Sequence, residues 1–168
     1  MTAAAIPPSA PRAMPALLTA PLRAALQPVL ARVVRRIGAR HPEIFDRIAP
    51  HEQTDFVIVA RELPFALHLR PDPAAPLLRA IPRHPLPPHG ARIEGPFLLL
   101  LRLVDGEQDG DAAFFSRELV ISGDTEAVVS LRNALDDVEG SIAQETADLF
   151  GPPGRAILSA LRRRGNPQ

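Results

Sequence analysis

The sequence predicts an α+β fold: an open, mostly antiparallel sheet of about five strands, with helices covering one face. Three observations predict it. Residues 111–139 have the pattern of a loop, a strand, a tight corner and an amphipathic helix. Residues 54–61 and 64–70 have the pattern of two paired strands, joined by a short connection over 61–63. Residues 16–40 have the spacing of a helix, which would be an addition in front of the sheet.

The strand before the corner is centred on residue 120. Leu119 and Ile121 alternate with Glu118 and Ser122, which is the two-residue period of a strand. Val120 interrupts strict alternation, so we expect this strand to be covered on much of both faces.

The corner and the helix after it carry local signals. Gly123 permits a backbone turn that other residues resist, and Asp124 or Thr125 can accept from free N–H groups at a helix start. Gly140 is placed to close the helix. One face of this helix is apolar: Ala127, Val128, Leu131, Ala134, Leu135 and Val138.

The N-terminal part has two segments. Residues 1–15 are rich in Ala and Pro and are predicted to be disordered. Residues 16–40 form an amphipathic helix that Pro28 should kink or split. Two interpretations of this helix remain open: a surface helix packed on the core, or a basic helix that touches an anionic membrane. In the second, the membrane-contacting residues are Arg32, Arg35 and Arg36.

The rest of the chain supplies shorter elements. Residues 70–90 contain so many prolines that no central strand fits there, because proline donates nothing to a strand ladder. The predicted elements are a short helix over 41–49, an edge strand over 77–81, a strand over 91–95, a buried helix over 97–104 and helical pieces over 141–150 and 155–163.

Composition excludes several classes of function. The 19 basic and 19 acidic residues cancel, so no global field attracts nucleic acid. The chain has no Cys, and therefore no thiolate nucleophile. Its longest apolar run, Pro96–Leu101, is far too short to span a bilayer, and the N-terminus lacks the pattern of a signal peptide. We expect a cytoplasmic protein.

The titratable residues do not form a catalytic or metal-binding pattern. The pairs His84 with His89 and His41 with His51 lack neighbouring Cys or carboxylate motifs, so we interpret them as structural. The alternating acidic residues of 105–111 lack the ligand order of a calcium loop and are interpreted as solvated. We therefore expect no enzyme, no metal and no cofactor.

A resemblance to a known family becomes visible in one motif. The pattern FF-x-R-x-L-x-I-x-G-D-T-E-x5-R-N-x2-D-x2-E, from Phe114 to Glu139, resembles the C-terminal half of a sterol carrier protein type two domain. More narrowly, it resembles bacterial accessory factors for oxygen-independent ubiquinone biosynthesis, the UbiT type. The resemblance implies a lipid-binding domain with an apolar tunnel and no catalytic residues. The chain departs from the family pattern in its Pro-rich stretch over 70–90.

This resemblance sets the functional expectations. It implies a non-catalytic factor that holds polyprenyl ubiquinone precursors, or ubiquinone, and presents them to ubiquinone-biosynthesis enzymes such as iron–sulfur hydroxylases. Contact with an anionic membrane surface would be transient and would place the protein at the periphery of the inner membrane. The expected lipid-binding residues are Phe97, Leu98, Leu101, Phe114, Phe115, Leu119, Ile121, Val128, Leu131 and Leu135.

The domain boundaries follow from the same interpretation. The lipid-binding domain is expected over 41–150, after the disordered segment 1–15 and the helix 16–40, and before a C-terminal helix and basic tail over 151–168. Two alternatives remain: a general lipid or sterol carrier, and a structural scaffold without a ligand. An enzyme would need titratable groups that converge in a pocket.

Overall fold

The computed structural model describes residues 16–105, 117–138 and 141–165. The helices are α1 (Ala16–Arg40), α2 (Glu43–Ile48), α3 (Phe97–Asp105), α4 (Thr125–Asp136), α5 (Ile142–Asp148) and α6 (Gly151–Gly165). The strands are β1 (Phe56–Ala60), β2 (Phe65–Arg70), β3 (Leu77–Pro82), β4 (Ala91–Gly95) and β5 (Val120–Gly123).

The strands form one sheet in the order β3-β2-β1-β4-β5. Strands β1 and β4 are parallel, and the other neighbours are antiparallel. The predicted mostly antiparallel five-stranded sheet is therefore confirmed, including the β1–β2 hairpin and the position of β3 at an edge. The parallel pair had no local signal in the sequence.

The pleat of the strands separates two apolar clusters. Phe56, Ala91 and Ile93 point to one face, where they pack against α2 and α4 in the main core. Val57, Ala66 and their neighbours point to the other face and form a smaller cluster under the Pro-rich segment after β3. Because side chains alternate along a strand, each strand contributes to both clusters. The prediction that helices cover one face of the sheet is confirmed.

Helix α1 is an addition to one edge of this sheet. It packs along β3, where Gln27 Nε2 donates to the carbonyl of Ala80 at 2.7 Å. Val33 and Ile37, further along α1, are buried in the main core. The helix continues through Pro28, so the predicted alternative of a split helix is wrong. Proline removes only one backbone hydrogen bond from the ladder, and packing along β3 supports the rest of the helix.

The corner between β5 and α4 is closed by a backbone contact. Gly123 has φ +82°, and a Cβ atom there would lie 2.2 Å from the carbonyl oxygen of Gly90. The next residue, Asp124, donates its N–H to the same oxygen at 2.9 Å. Its carboxylate accepts from the N–H of Ala127, also at 2.9 Å, so Asp124 is the helix cap. The predicted turn at Gly123 and the capping role of Asp124 are both confirmed.

Two burial predictions are wrong. Val120 is 50% exposed, because β5 lies at the edge of the sheet and only Ile121 faces the core. Helix α3, predicted to be buried, is only partly buried along 97–104. Its neighbours α4, α5 and α6 pack against one side of it and leave the rest of its surface partly accessible.

Several helix ends differ from the sequence prediction. Helix α4 ends at Asp136, although Val138 beyond it is still buried, and Gly140 lies outside the described residues. Helix α6 begins at Gly151 rather than at residue 155, since prolines fit the first helical turn. The segment 1–15, most of the acidic loop 105–111 and both Phe114 and Phe115 also lie outside the described residues.

The corner generates a stability prediction. Gly123→Ala should lower the free energy of unfolding by more than the roughly 1–3 kcal/mol of left-handed strain, because the new Cβ also collides with the Gly90 carbonyl. Gly151→Ala is the matched control, since Gly151 has φ +64° but nothing within 4 Å of a Cβ. Urea unfolding measures both variants. An equal loss of unfolding free energy in the two variants would show that the backbone at Gly90 moves away from the new Cβ without further destabilisation.

Candidate lipid-binding site

An apolar cleft lies between α1, α2, α4 and the hairpin of β2 and β3. It has a volume of about 80 Å³. Its lining side chains carry no charged or hydrogen-bonding group, and Gly38 adds only backbone. The lining residues are Val34, Ile37, Gly38, Ile44, Phe45, Leu69, Pro71, Pro76, Leu131 and Leu135.

Each wall of the cleft follows from a local sequence feature. Leu131 and Leu135 are four residues apart on the apolar face of α4, so they lie side by side. Pro71 and Pro76 bound the turn after β2 and have no N–H groups to leave unpaired. Opposite them, a Cβ atom on Gly38 would lie 2.8 Å from the ring of Phe45. Gly38 therefore lets the Phe45 ring pack directly against α1.

Of the predicted lipid-binding residues that the structure describes, Leu131 and Leu135 line this cleft. Val128 is buried in the main core, and Leu119 and Ile121 pack against that core. The remaining predicted residues of α3 lie elsewhere: Phe97 and Leu98 are half-buried outside the cleft lining, and Leu101 packs against the cluster of α5 and α6. Phe114 and Phe115 lie outside the described residues. For every residue of this set, lipid binding itself stays a prediction.

Sequence reasoning did not assign the opposite wall to the site. Ile37, Ile44 and Phe45 lie in segments predicted to be helices, and Pro71 and Pro76 lie in the Pro-rich stretch over 70–90. Their convergence depends on how the α1–α2 corner packs against the β2–β3 turn, which local periodicity does not report. The available sequence signal for this wall was the turn after β2, which is flanked by Pro71 and Pro76 and follows an apolar strand.

A polar cluster lies at the junction of α1 and α2. His41 is 9% exposed, and its Nδ1 and Nε2 atoms lie 3.0 Å from Glu43 Oε1 and 2.9 Å from Glu145 Oε1. Arg40 lies 3.5 Å from the other oxygen of Glu145. Burial alone would lower the pKa of His41, but the hydrogen bonds to Glu145 and Glu43 outweigh burial and raise that pKa above its ordinary value.

A second polar network lies on the face of the sheet that points away from the cleft. Asp55 accepts from Arg70 at 2.6 and 2.9 Å and from His68 at 2.6 Å. Arg79 donates to the other ring nitrogen of His68 at 3.1 Å. The hydrogen bond from Arg70, followed by that from His68, lowers the pKa of Asp55 in spite of its burial. These residues tie β1 to the β2–β3 hairpin and do not open into a pocket of titratable groups.

The described residues contain neither a metal-binding cluster nor a membrane-spanning helix. There, no group of three or more His, Asp or Glu residues could hold a metal ion. Across the same residues, no helix is long and apolar enough to cross a bilayer. Arg32, Arg35 and Arg36 are exposed on α1. Their contact with a membrane stays a prediction.

Comparison with known families identifies the class of this protein. The sequence model of the SCP-2 sterol transfer family matches residues 36–136, more than half of the chain. The chain therefore belongs to the SCP-2 sterol transfer family, a family of lipid carriers. The predicted resemblance to a sterol carrier protein type two domain is confirmed.

Two solved structures are similar to this chain. One, entitled "UbiJ-SCP2 Ubiquinone synthesis protein", has a TM-score of 0.45 and 18% identity, covering 73% of this chain and 93% of its own. The other is Sterol Carrier Protein 2 from Yarrowia lipolytica in its apo form, with a TM-score of 0.46 and 10% identity, covering 68% of this chain and 89% of its own. A comparison with curated proteins gave no match.

The cleft generates a prediction about Leu131. Leu131→Ala should cost towards the lower end of the roughly 2–5 kcal/mol of a buried Leu→Ala change, because the space it leaves joins the cleft. Leu158→Ala is the matched control, since Leu158 is equally buried but belongs to the separate cluster of α5 and α6. Thermal and urea unfolding compare the two. A larger loss for Leu131→Ala, with unchanged retention of lipid, would contradict a role in the cleft.

Proposed function

We propose that this chain is a lipid carrier that holds polyprenyl ubiquinone precursors, or ubiquinone, and presents them for oxygen-independent ubiquinone biosynthesis. The observation that carries the proposal is an apolar cleft within a chain of the SCP-2 sterol transfer family. A lining without charged or hydrogen-bonding side chains favours a hydrocarbon tail over a polar substrate. The chain itself supplies no catalytic group and needs no cofactor under this proposal.

The free energy of binding would come from removal of the tail from water. Burial of apolar surface is worth about 25 cal/mol per Å², and aliphatic walls suit a flexible isoprenoid chain. The cleft of about 80 Å³ is much smaller than the roughly 300–1,000 Å³ of ordinary small-molecule sites. A tail must therefore widen this cleft as it enters, and the quinone ring would stay near the mouth, within reach of partner enzymes.

The ubiquinone branch rests on the sequence motif that ends in α4. Gly123 and Asp124 of that motif form the corner, and Arg132 pairs with Asp136 at 2.9 Å on α4. These contacts build the wall that holds Leu131 and Leu135, which connects the motif with the cleft. The proposed partners are enzymes that hydroxylate the ring without oxygen, including iron–sulfur proteins. A general lipid or sterol carrier is the second candidate, and the same cleft supports it.

Lipid analysis separates a carrier from a ligand-free scaffold. Protein purified from cells under native conditions should carry a lipid that native mass spectrometry detects and organic extraction identifies as a quinone or a quinone precursor. A general phospholipid or sterol instead would favour the second candidate. Absence of any lipid would contradict the carrier proposal.

A pair of variants of α4 places that lipid in the cleft. Leu135→Trp should fill the cleft and lower the amount of bound lipid several-fold, because the indole takes the space of the tail. Val129→Trp is the matched control on the same helix, since Val129 is exposed to solvent rather than facing the cleft. Equal lipid content in both variants would show that the lipid binds elsewhere.

We also propose that α1 contacts an anionic membrane transiently, with the protein cytoplasmic and peripheral to the inner membrane. A carrier must load and unload at a bilayer, and α1 exposes Arg32, Arg35 and Arg36. Each basic residue near an anionic surface contributes on the order of 1 kcal/mol. Three of them support a reversible contact rather than permanent attachment.

Liposome flotation tests this contact. Binding should require anionic lipid and weaken as salt rises, because exposed charges are screened over about 8–10 Å. Changing Arg32, Arg35 and Arg36 to Gln should abolish flotation. Changing Arg61, Arg117 and Arg155 to Gln removes the same charge elsewhere and should leave flotation intact. Equal binding to neutral vesicles would rule out the electrostatic contact.

A further inference from the structure

The α1–α2 corner forms one side of the cleft. Val34, Ile37 and Gly38 come from the end of α1, and Ile44 and Phe45 come from α2. The opposite side consists of the β2–β3 turn and α4. Because the cleft has a volume of only about 80 Å³, an isoprenoid tail can enter it only if the two sides move apart. Of the two sides, the α1–α2 corner is the one whose helices are not joined directly to a strand, since α4 follows β5 through the corner at Gly123.

The connection between α1 and α2 is a compact joint. Only His41 and Pro42 separate Arg40, the last residue of α1, from Glu43, the first residue of α2. The N–H of His41 donates to the carbonyl of Ile37 at 2.9 Å, which extends the backbone ladder into the joint. Ile37 and Phe45 would move together with this joint, because the Phe45 ring packs directly against Gly38 at the end of α1.

The side chain of His41 ties this joint to α5, while Arg47 of α2 pairs separately with Asp137, just after α4, at 3.1 Å. Both ring nitrogens of His41 face carboxylate oxygens, one on α2 and one on α5. Only the doubly protonated imidazolium can donate to both carboxylates at once. Arg40 adds a second positive charge beside Glu145. On the same turn of α5, Arg162 of α6 donates to Gln144 and Ser141, so the anchoring point on α5 is itself held in place.

We propose that the α1–α2 corner is the gate through which lipid reaches the cleft, and that the bridge from His41 to Glu145 holds this gate shut. This inference rests on the proposed lipid-carrier function, because the gate would be the entrance through which the carried lipid reaches the cleft. Opening it would expose Val33 and Ile37, which are buried in the main core. An incoming apolar tail offsets that exposure by covering the same surface, whereas water does not.

The gate should respond to pH with a defined sign. The closed state contains His41 between Glu43 and Glu145, and among the described residues Arg40 is the other charged group in contact with Glu145. Because the pKa of His41 is raised in the closed state, that state binds the proton more tightly than an open one. The bridge is complete below the ordinary histidine pKa of about 6.5. It weakens as pH rises through the raised pKa, so the gate opens more often in alkaline solution.

Two variants of α5 isolate the bridge. Glu145→Gln removes the carboxylate that joins α5 to His41. Asp148→Asn removes a carboxylate from the same helix that pairs with Arg155 and Gln144, away from the corner, and serves as the matched control. The full-length protein is studied in each case, so no part of the fold has to be stable alone.

Two measurements follow the opening of the gate between about pH 5.5 and 8.5. The first is the rate of uptake of N-phenyl-1-naphthylamine, an uncharged apolar fluorophore. The second is amide hydrogen exchange over residues 34–45 in the ligand-free protein, compared between variants at equal pH. Loss of a hydrogen bond between charged groups should speed uptake and exchange by about tenfold at the acidic end. Uptake by wild type and by Asp148→Asn should accelerate as pH rises, whereas uptake by Glu145→Gln should be fast throughout.

The outcomes separate this proposal from the lipid-carrier function. Uptake that is equally slow in Glu145→Gln and wild type would overturn the gate, as would faster exchange without faster uptake. A wild-type uptake rate that does not vary with pH would overturn it even if Glu145→Gln failed to fold. Lipid extraction remains a separate test: purified protein without lipid, combined with the expected pH profile, would keep the gate and remove the carrier function.

Discussion

The cleft side of this protein depends on a close backbone contact between Gly90 and Gly123. The carbonyl of Asp55, just before β1, accepts from the N–H groups of Gly90 and Ala91, and the carbonyl of Gly90 accepts from Asp124. The start of β1, the start of β4 and the first turn of α4 are thereby joined in one chain of hydrogen bonds. Because the start of α4 is fixed, its apolar face is fixed too, and Leu131 and Leu135 are directed to the cleft.

The polar network of Asp55 and the apolar cleft lie on opposite faces of the sheet. Asp55, His68 and Arg79 satisfy one another on the face away from the cleft, whereas the cleft side is lined by aliphatic side chains, Phe45 and two prolines. An apolar wall contributes the same binding free energy to any ligand with the same tail. Under the proposed function, successive intermediates that differ only in their ring would be held with similar affinity, and none would be retained at the expense of the next.

Local features of the fold could be predicted from the sequence, and long-range ones could not. Gly123, Asp124 and the apolar spacing of α4 are local signals, and all three appear in the structure as expected. The exposure of Val120 depends on the position of β5 at the sheet edge, which requires the strand order. Half of the cleft lining could not be predicted from the sequence for a similar reason. Phe45 and Pro71 are distant in sequence, and no local pattern at either residue indicates that they lie in the same cleft. The motif that resembles the family includes α4, which forms one wall of the cleft, and contains no residue of the opposite wall.

The position of α1 along β3 has a consequence for the solubility of the sheet. An edge strand is a template for unwanted pairing with another chain, and proteins commonly cover or interrupt such edges. Here Pro82 ends the strand, and α1 lies along it with Gln27 bound to the carbonyl of Ala80. The first half of α1 therefore protects the sheet against aggregation, and only its second half borders the cleft. Removal of the first half of the helix would expose β3 as an unpaired edge strand.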